Sequence, residues 1–136
     1  INAKISELQS AMGLAVLPYM QAILADRSSV VTWYDENMKM NPFERIKIRI
    51  KTHWNTAYYP MVFESENQLL EIEKSLHNIE VFPRRYFYPS LTKLPYITQS
   101  SCVIASDVSS RILCLPLFYG LSENEVKRIA SIINNF

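Results

Sequence analysis

The chemistry of this sequence is concentrated in nine consecutive residues, Phe82-Pro83-Arg84-Arg85-Tyr86-Phe87-Tyr88-Pro89-Ser90. They hold two arginines and four aromatic residues. A guanidinium offers a planar fork of donors that fits phosphate and carboxylate. Aromatic faces accept bases or sugars. Pro83, Pro89 and Pro95 recur at intervals of six, and each pushes the residue before it into extended backbone. In extended chain, neighbours point to opposite faces. Arg84, Tyr86 and Tyr88 then share one side, with Arg85 and Phe87 on the other. Two readings stand side by side: a ligand-facing segment, or rings packed in the core with arginines paired at the surface. Arginine beside aromatics would also suit single-stranded nucleic acid. Against that, 14 basic and 13 acidic residues leave a formal net charge of only +1, and phosphate-driven binders are more basic.

The remaining reactive side chains form no such cluster. His53 lies in Lys51-Thr52-His53-Trp54-Asn55 with no obvious nucleophile near it in sequence. The carboxylates are scattered over helix faces and form no acid–base pair. Gly13 and Gly120 are the only glycines. A dinucleotide fingerprint, a P-loop and a nucleophile elbow are thereby excluded from this chain. Cys102 and Cys114, with His53 and His77, match no zinc spacing. The cysteines are expected to be buried, reduced thiols. No residue is assigned a catalytic or metal-ligating role.

The elements that must position the Arg/Tyr segment follow from periodicity. Ile5, Leu8, Met12, Ala15 and Val16 give a helix over 5–16. Pro18 opens a second helix at its first turn, and Met20, Ile23, Leu24, Val31, Tyr34 and Met38 carry its apolar stripe until Asn41-Pro42 ends it. Strict alternation over 46–50 predicts a strand with Ile46, Ile48 and Ile50 buried and a basic outer face. A second strand is expected over 57–63, with Pro60 implying an edge position or a bulge. Ser65 and Gln68 form a capping-box pattern before a helix bearing Leu69, Ile72 and Leu76. Lys74 and His77 suit that helix's C-terminal dipole. A short strand is expected at 79–82, a short helix at 106–112 capped by Ser106 or Asp107, and a buried extended run at 113–117. The last helix is capped by Ser122 with Glu125 closing the box and Leu121 and Val126 as staple. Val126, Ile129, Ala130 and Ile133 face inward.

Helix-helix, strand-strand, helix, strand, loop, short helix, helix reads as α+β: a small, largely antiparallel sheet packed with helices. The 136 residues suit one domain, and 49% hydrophobic residues suffice for a core. No uninterrupted apolar run reaches the ~18 residues of a membrane span, and no signal peptide is visible. Cytoplasm is the default expectation, with no membrane or nucleic-acid partner. The first residue is Ile1 and helical periodicity starts almost at once. A fragment of something longer is expected.

Three stretches together resemble the DegT/DnrJ/StrS family of sugar aminotransferases. Asn2-Ala3-Lys4-Ile5-Ser6-Glu7-Leu8-Gln9-Ser10-Ala11 is similar to the family's Asn-x-Arg/Lys-aliphatic-Ser/Asp-Glu-x-Gln-Ala-Ala. Tyr88-Pro89 matches its Tyr-Pro pair. Leu113-Cys114-Leu115-Pro116, then Gly120-Leu121-Ser122 and an acidic last helix, match its closing pattern. The resemblance covers nearly the whole chain but only about the last third of a family member. It implies the C-terminal domain of a type I pyridoxal phosphate (PLP) enzyme, with residues 1–40 a helical segment linking to a cofactor-binding domain and residues 41–136 the α+β domain proper. It implies a homodimer that moves an amino group from an amino acid, usually glutamate, to a keto-deoxysugar on a nucleoside diphosphate. It places Asn2 at the PLP phosphate of the partner subunit. It places Arg84, Arg85, Tyr86 and Tyr88 at the substrate. Phe87 stands where the family more often has histidine, so that residue's role does not transfer. The Schiff-base lysine lies upstream in the family, Lys4 is not that position, and the fragment alone is expected to be inactive. The alternative is a non-catalytic binding or regulatory module of the same fold. The stripe over residues 5–24, left bare, is expected to drive self-association.

Overall fold

The computed structural model describes residues 4–39, 44–45, 47–98 and 102–136. Asn2 and Ile46 lie outside them. The elements run α1 (Glu7–Val16), α2 (Met20–Asn37), β1 (Glu44–Arg45), β2 (Tyr59–Val62), α3 (Glu66–His77), α4 (Val103–Arg111), β3 (Ile112–Leu115) and α5 (Glu123–Ile133). The architecture is the expected α+β, with three antiparallel strands in the order β1-β2-β3.

The N-terminal helices form one continuous run. Ser6 caps α1 and its hydroxyl accepts from the Gln9 N–H, while Gln9 returns to the Ser6 N–H at 3.0 Å. Leu17–Tyr19 tighten into a single 3-10 turn, which accommodates Pro18 within the run. No residue of α1 is buried, and Leu8 is 74% exposed. The whole stretch Glu7–Asn37 is 31 residues, by length and composition enough to cross a membrane. None of its most apolar part is buried, whereas Val30, Val31 and Tyr34 further along α2 enter the domain core.

That core lies between α2, α3, α5 and one face of the sheet. Tyr34, Tyr59, Met61, Phe63, Leu69, Ile72, Leu76, Val126 and Ile133 are its largest fully buried side chains, with Leu113 and Val30. The tyrosines carry their hydroxyls into it with partners. Tyr34 stacks on Tyr59 at 4.6 Å and donates to the Pro116 carbonyl at 3.0 Å. Tyr59 donates to Asp35 at 2.8 Å, and Arg45 closes an ion pair on the same carboxylate. Asn134 ties the ends of α2 and α5 together, accepting from the Lys39 N–H and donating to the Asn37 carbonyl, both at 2.8 Å.

Several local expectations need correction. Over the described residues 47–50 the alternation does not make a strand with a buried face. Among the described residues here strand pairing is seen at Glu44–Arg45, while Ile48 is exposed and Ile50 is 93% exposed at a turn. Period-2 patterning does not bury a face when nothing packs against it. β2 is not an edge strand although it contains Pro60. Pro60 faces Cys114, whose N–H and C=O both turn to Arg84, at 2.8 and 3.0 Å. The missing proline N–H therefore removes no bond to β3. The strand expected at 79–82 is a turn, because Ile79 and Val81 both donate back to the Leu76 carbonyl. Pairing is displaced to an isolated bridge between Arg84 and Cys114. α4 starts three residues before Ser106, with Cys102 at its N-cap and no side-chain cap. Asp107 instead sits inside it and pairs with Arg111 at 2.8 Å. Cys114 is buried as expected, but Cys102 is exposed. α3 and α5 match their expected spans and buried stripes. One detail differs in α3: Ser65 caps the Gln68 N–H, but the Gln68 side chain accepts from Glu64 rather than from the cap residue.

Candidate functional site

The Arg/Tyr segment leaves α3, pairs with β3 at Arg84 and then turns. Arg84 and Tyr86 share a side as extended backbone requires, with Arg84 Nη1 donating to the Tyr86 hydroxyl at 2.8 Å. The alternation stops there. Residues 86–89 turn, and Tyr88 joins Arg85 instead, its ring centroid 3.7 Å from the guanidinium carbon. The four residues singled out in sequence are thus divided into two pairs on different neighbours.

Arg85 and Tyr88 belong to a packed polar knot. The Arg85 side chain is 15% exposed. Its Nη2 donates to Glu66 and to the Ser110 carbonyl, both at 2.7 Å. Arg85, with a smaller share from Tyr88, holds the Glu66 carboxyl below its usual pKa. Here the arginine fork joins α3 to the end of α4. Beside it runs a chain of hydroxyls, Ser90 to Thr92 at 3.1 Å and Thr92 to Ser106 at 3.2 Å.

Arg84 and Tyr86 face a cleft instead. It has a volume of about 640 Å³ and lies between the turn after α3, the end of β3 and the exposed side of α5. Tyr58 and Tyr86 meet edge to face at 5.3 Å on one wall. Phe82 and Phe118, both largely exposed, also line it. Among the described residues Arg84 has no acidic partner. Arg128, Glu80 and Glu125 supply the other charges. Glu125 is committed to the α5 cap, accepting from the Ser122 N–H at 3.0 Å and its hydroxyl at 2.7 Å, which together pull its pKa down. Arg128 makes one 3.3 Å bond to the Ile79 carbonyl. Cys114 reaches the cleft too, but burial pushes its thiol pKa up, away from nucleophilic thiolate.

Sequence reasoning missed Tyr58, Phe118 and Arg128. Tyr58 reads as one more residue of a β run, and Arg128 as one more charge on the wet face of a helix. Phe118 had a signal: an aromatic just before the Gly120 turn (φ +85°) is placed at the mouth of whatever that turn borders. Asp26 fixes the turn by accepting from the Gly120 N–H at 2.9 Å. His53 is exposed, and no group of three potential metal ligands occurs among the described residues.

Residues 1–134 match the DegT/DnrJ/EryC1/StrS aminotransferase family. The chain belongs to that family. Its curated relatives include the dTDP-4-amino-4,6-dideoxy-D-glucose transaminase of Escherichia coli, 28% identical over 98% of this chain and 38% of the relative. The chain therefore spans under two-fifths of the length of such a relative. Solved structures agree on the fold. The enzyme DesI, determined in the presence of its TDP-sugar product, superposes with a TM-score of 0.84 at 22% identity, over 98% of this chain and 36% of that one. A sugar aminotransferase from Streptococcus pneumoniae in its PLP form gives 0.79 at 18% identity, over 97% of this chain and 36% of that one. The α+β arrangement described above is thus the fold of a portion of those two chains.

PLP is the cofactor this family implies. Its reactive aldehyde calls for an amine, and no lysine lines the cleft. The cleft's residues do not fit the reactive end of that cofactor.

Proposed function

We propose that the protein is a PLP-dependent aminotransferase that takes an amino group from an amino acid, glutamate in our reading, and delivers it to a keto-deoxysugar carried on a nucleoside diphosphate. The observation that carries this reading is the family match across residues 1–134, reinforced by a curated relative named for a dTDP-linked amino sugar. In such an enzyme the cofactor supplies the electron sink and the protein supplies binding and orientation. The described residues contribute the second of these. Arg84 and Tyr86 offer donors toward substrate from the cleft. Arg85 and Tyr88 hold the same turn in place through Glu66 and the Ser110 carbonyl. Asn2 is our PLP-phosphate residue, reaching across a homodimer. Residues 1–40 join the cofactor-binding part to the domain, and the working compartment is the cytoplasm.

The test uses full-length protein loaded with PLP. On mixing with glutamate, the cofactor absorbance is expected to shift, and adding nucleotide-linked keto-deoxysugars is expected to restore it with release of an amino sugar. A cofactor spectrum that ignores glutamate and every such sugar overturns the proposal.

A further inference from the structure

We propose that Glu66 and Arg85 are positioning residues for amino transfer: their ion pair clamps the turn over 86–89 and so holds Arg84 and Tyr86 where substrate meets them, while neither Glu66 nor Arg85 touches substrate. The proposal rests on the aminotransferase reading for its reaction and on the packing of the turn for its geometry. Glu66, Arg85 and Tyr88 are all absent from the cleft lining, whereas Arg84 and Tyr86 belong to it. Any effect of Glu66 on the reaction must then pass through the turn.

The turn has little else to hold it. Among the described residues, no backbone–backbone hydrogen bond ties residues 85–89 to another element, and the last such bonds before them are the two between Arg84 and Cys114. The clamp supplies what the backbone does not, and both of its anchors are rigid. Glu66 opens α3 directly after the Ser65 cap, and Leu69, Ile72 and Leu76 bury the same helix in the core. Ser110 lies in the last turn of α4, where a carbonyl has no partner within the helix. A single nitrogen of Arg85, Nη2, donates to both. The guanidinium also lies over Tyr88, so the turn is gripped at its first residue and again three residues on. Arg85 has no spare acceptor nearby: its Nε is already buried without a partner. Removing the Glu66 charge leaves a mostly enclosed guanidinium short of its counter-ion. The side chain then gains by swinging toward water, and it carries the neighbouring Arg84 and Tyr86 with it.

The experiment is a double-mutant cycle of Glu66→Gln with Arg84→Gln in full-length, PLP-loaded protein, assayed with the keto-deoxysugar that its spectral titration selects. Glu66→Gln alone is expected to raise the KM for that sugar by about tenfold with kcat nearly unchanged. In the Arg84→Gln background the same substitution is expected to add little, because the residue it positions is gone. Ile133→Val, which costs stability elsewhere in the core, is expected to leave KM unchanged. Tryptic cleavage after Arg84 and Arg85, located by mass spectrometry, reads the turn without turnover and is expected to be several-fold faster in Glu66→Gln. Glu66 is partly exposed, and circular dichroism verifies that each variant folds. Additive effects in the cycle, a KM unmoved by Glu66→Gln, or an equal rise in Ile133→Val overturns the proposal and leaves the aminotransferase reading standing. A PLP spectrum that ignores glutamate and every keto-sugar sinks that reading instead. Faster cleavage in Glu66→Gln then still supports the clamp, and unchanged cleavage overturns it.

Discussion

Arg84 and Arg85 are adjacent in sequence and do opposite work. Arg85 is nearly enclosed, with its fork on Glu66 and a carbonyl and its plane on Tyr88. Arg84 is open and bonded to a phenol. The Glu66 carboxyl, whose pKa Arg85 lowers, links this knot to pH. A depressed folded-state pKa gives stability above the unfolded carboxylate value of about 4.3, lost as pH falls through the folded value. Glu66→Gln is therefore expected to melt below wild type at pH 7, with the gap closing toward pH 3. An equal gap at both pH values would show that the carboxylate charge is not its source. Tyr34 and Tyr59 give a second expectation. Burial, together with the neighbouring Tyr59 for Tyr34 and Asp35 for Tyr59, raises both phenols far above their usual range. Their contribution to stability is complete below about pH 10 and is lost as pH rises through the folded values. Of eight tyrosines, these two are expected to stay un-ionised at pH 11.5 while the fold persists. Full ionisation at 295 nm before circular dichroism reports unfolding would contradict that.

Among the elements, α1 and α5 begin with the same capping box but stand in different surroundings. The reciprocal bonds of Ser6 and Gln9 on α1 are repeated by Ser122 and Glu125 on α5. Only α5 buries a stripe, Val126, Ile129, Ala130 and Ile133, against α2 and α3. Ser122→Ala is expected to cost about 1 kcal/mol in urea denaturation. Ser6→Ala is expected to leave the main transition unchanged, because α1 frays without disturbing the core. A comparable loss at Ser6 would mean that α1 is coupled to the domain more tightly than its exposure indicates.

At the scale of the whole molecule, one compact core is joined to a helix that packs on none of it. Leu8, Met12, Leu14 and Leu17 are each well over half exposed. Soluble monomers rarely present so continuous an apolar surface. The 136-residue chain is expected to self-associate through residues 5–24. Sedimentation of wild type should depend on concentration, and the double substitution Leu8→Lys with Leu17→Lys should remove that dependence. A wild-type chain that stays monomeric at high concentration would contradict it.

Sequence alone determined the elements whose signals are local. The caps of α3 and α5 and their 3.6-residue stripes appear where expected, because capping and amphipathicity involve residues within one or two turns. The α+β class and the aminotransferase resemblance were legible for the same reason: they rest on order and spacing along the chain. Tertiary structure decided everything that depends on what lies opposite. It left Ile48 and Ile50 exposed despite perfect alternation, Ile48 beside Trp54 and Pro60 and Ile50 at a turn. It put Pro60 in the middle of the sheet, since Cys114 turns its polar groups to Arg84 there. It separated Arg84 and Tyr86 from Arg85 and Tyr88, since a turn at 86–89 ended the alternation, and it brought Tyr58, Phe118 and Arg128 to the cleft from distant elements. Local patterns state which face a residue presents, whereas only the packed chain supplies the surface that face meets.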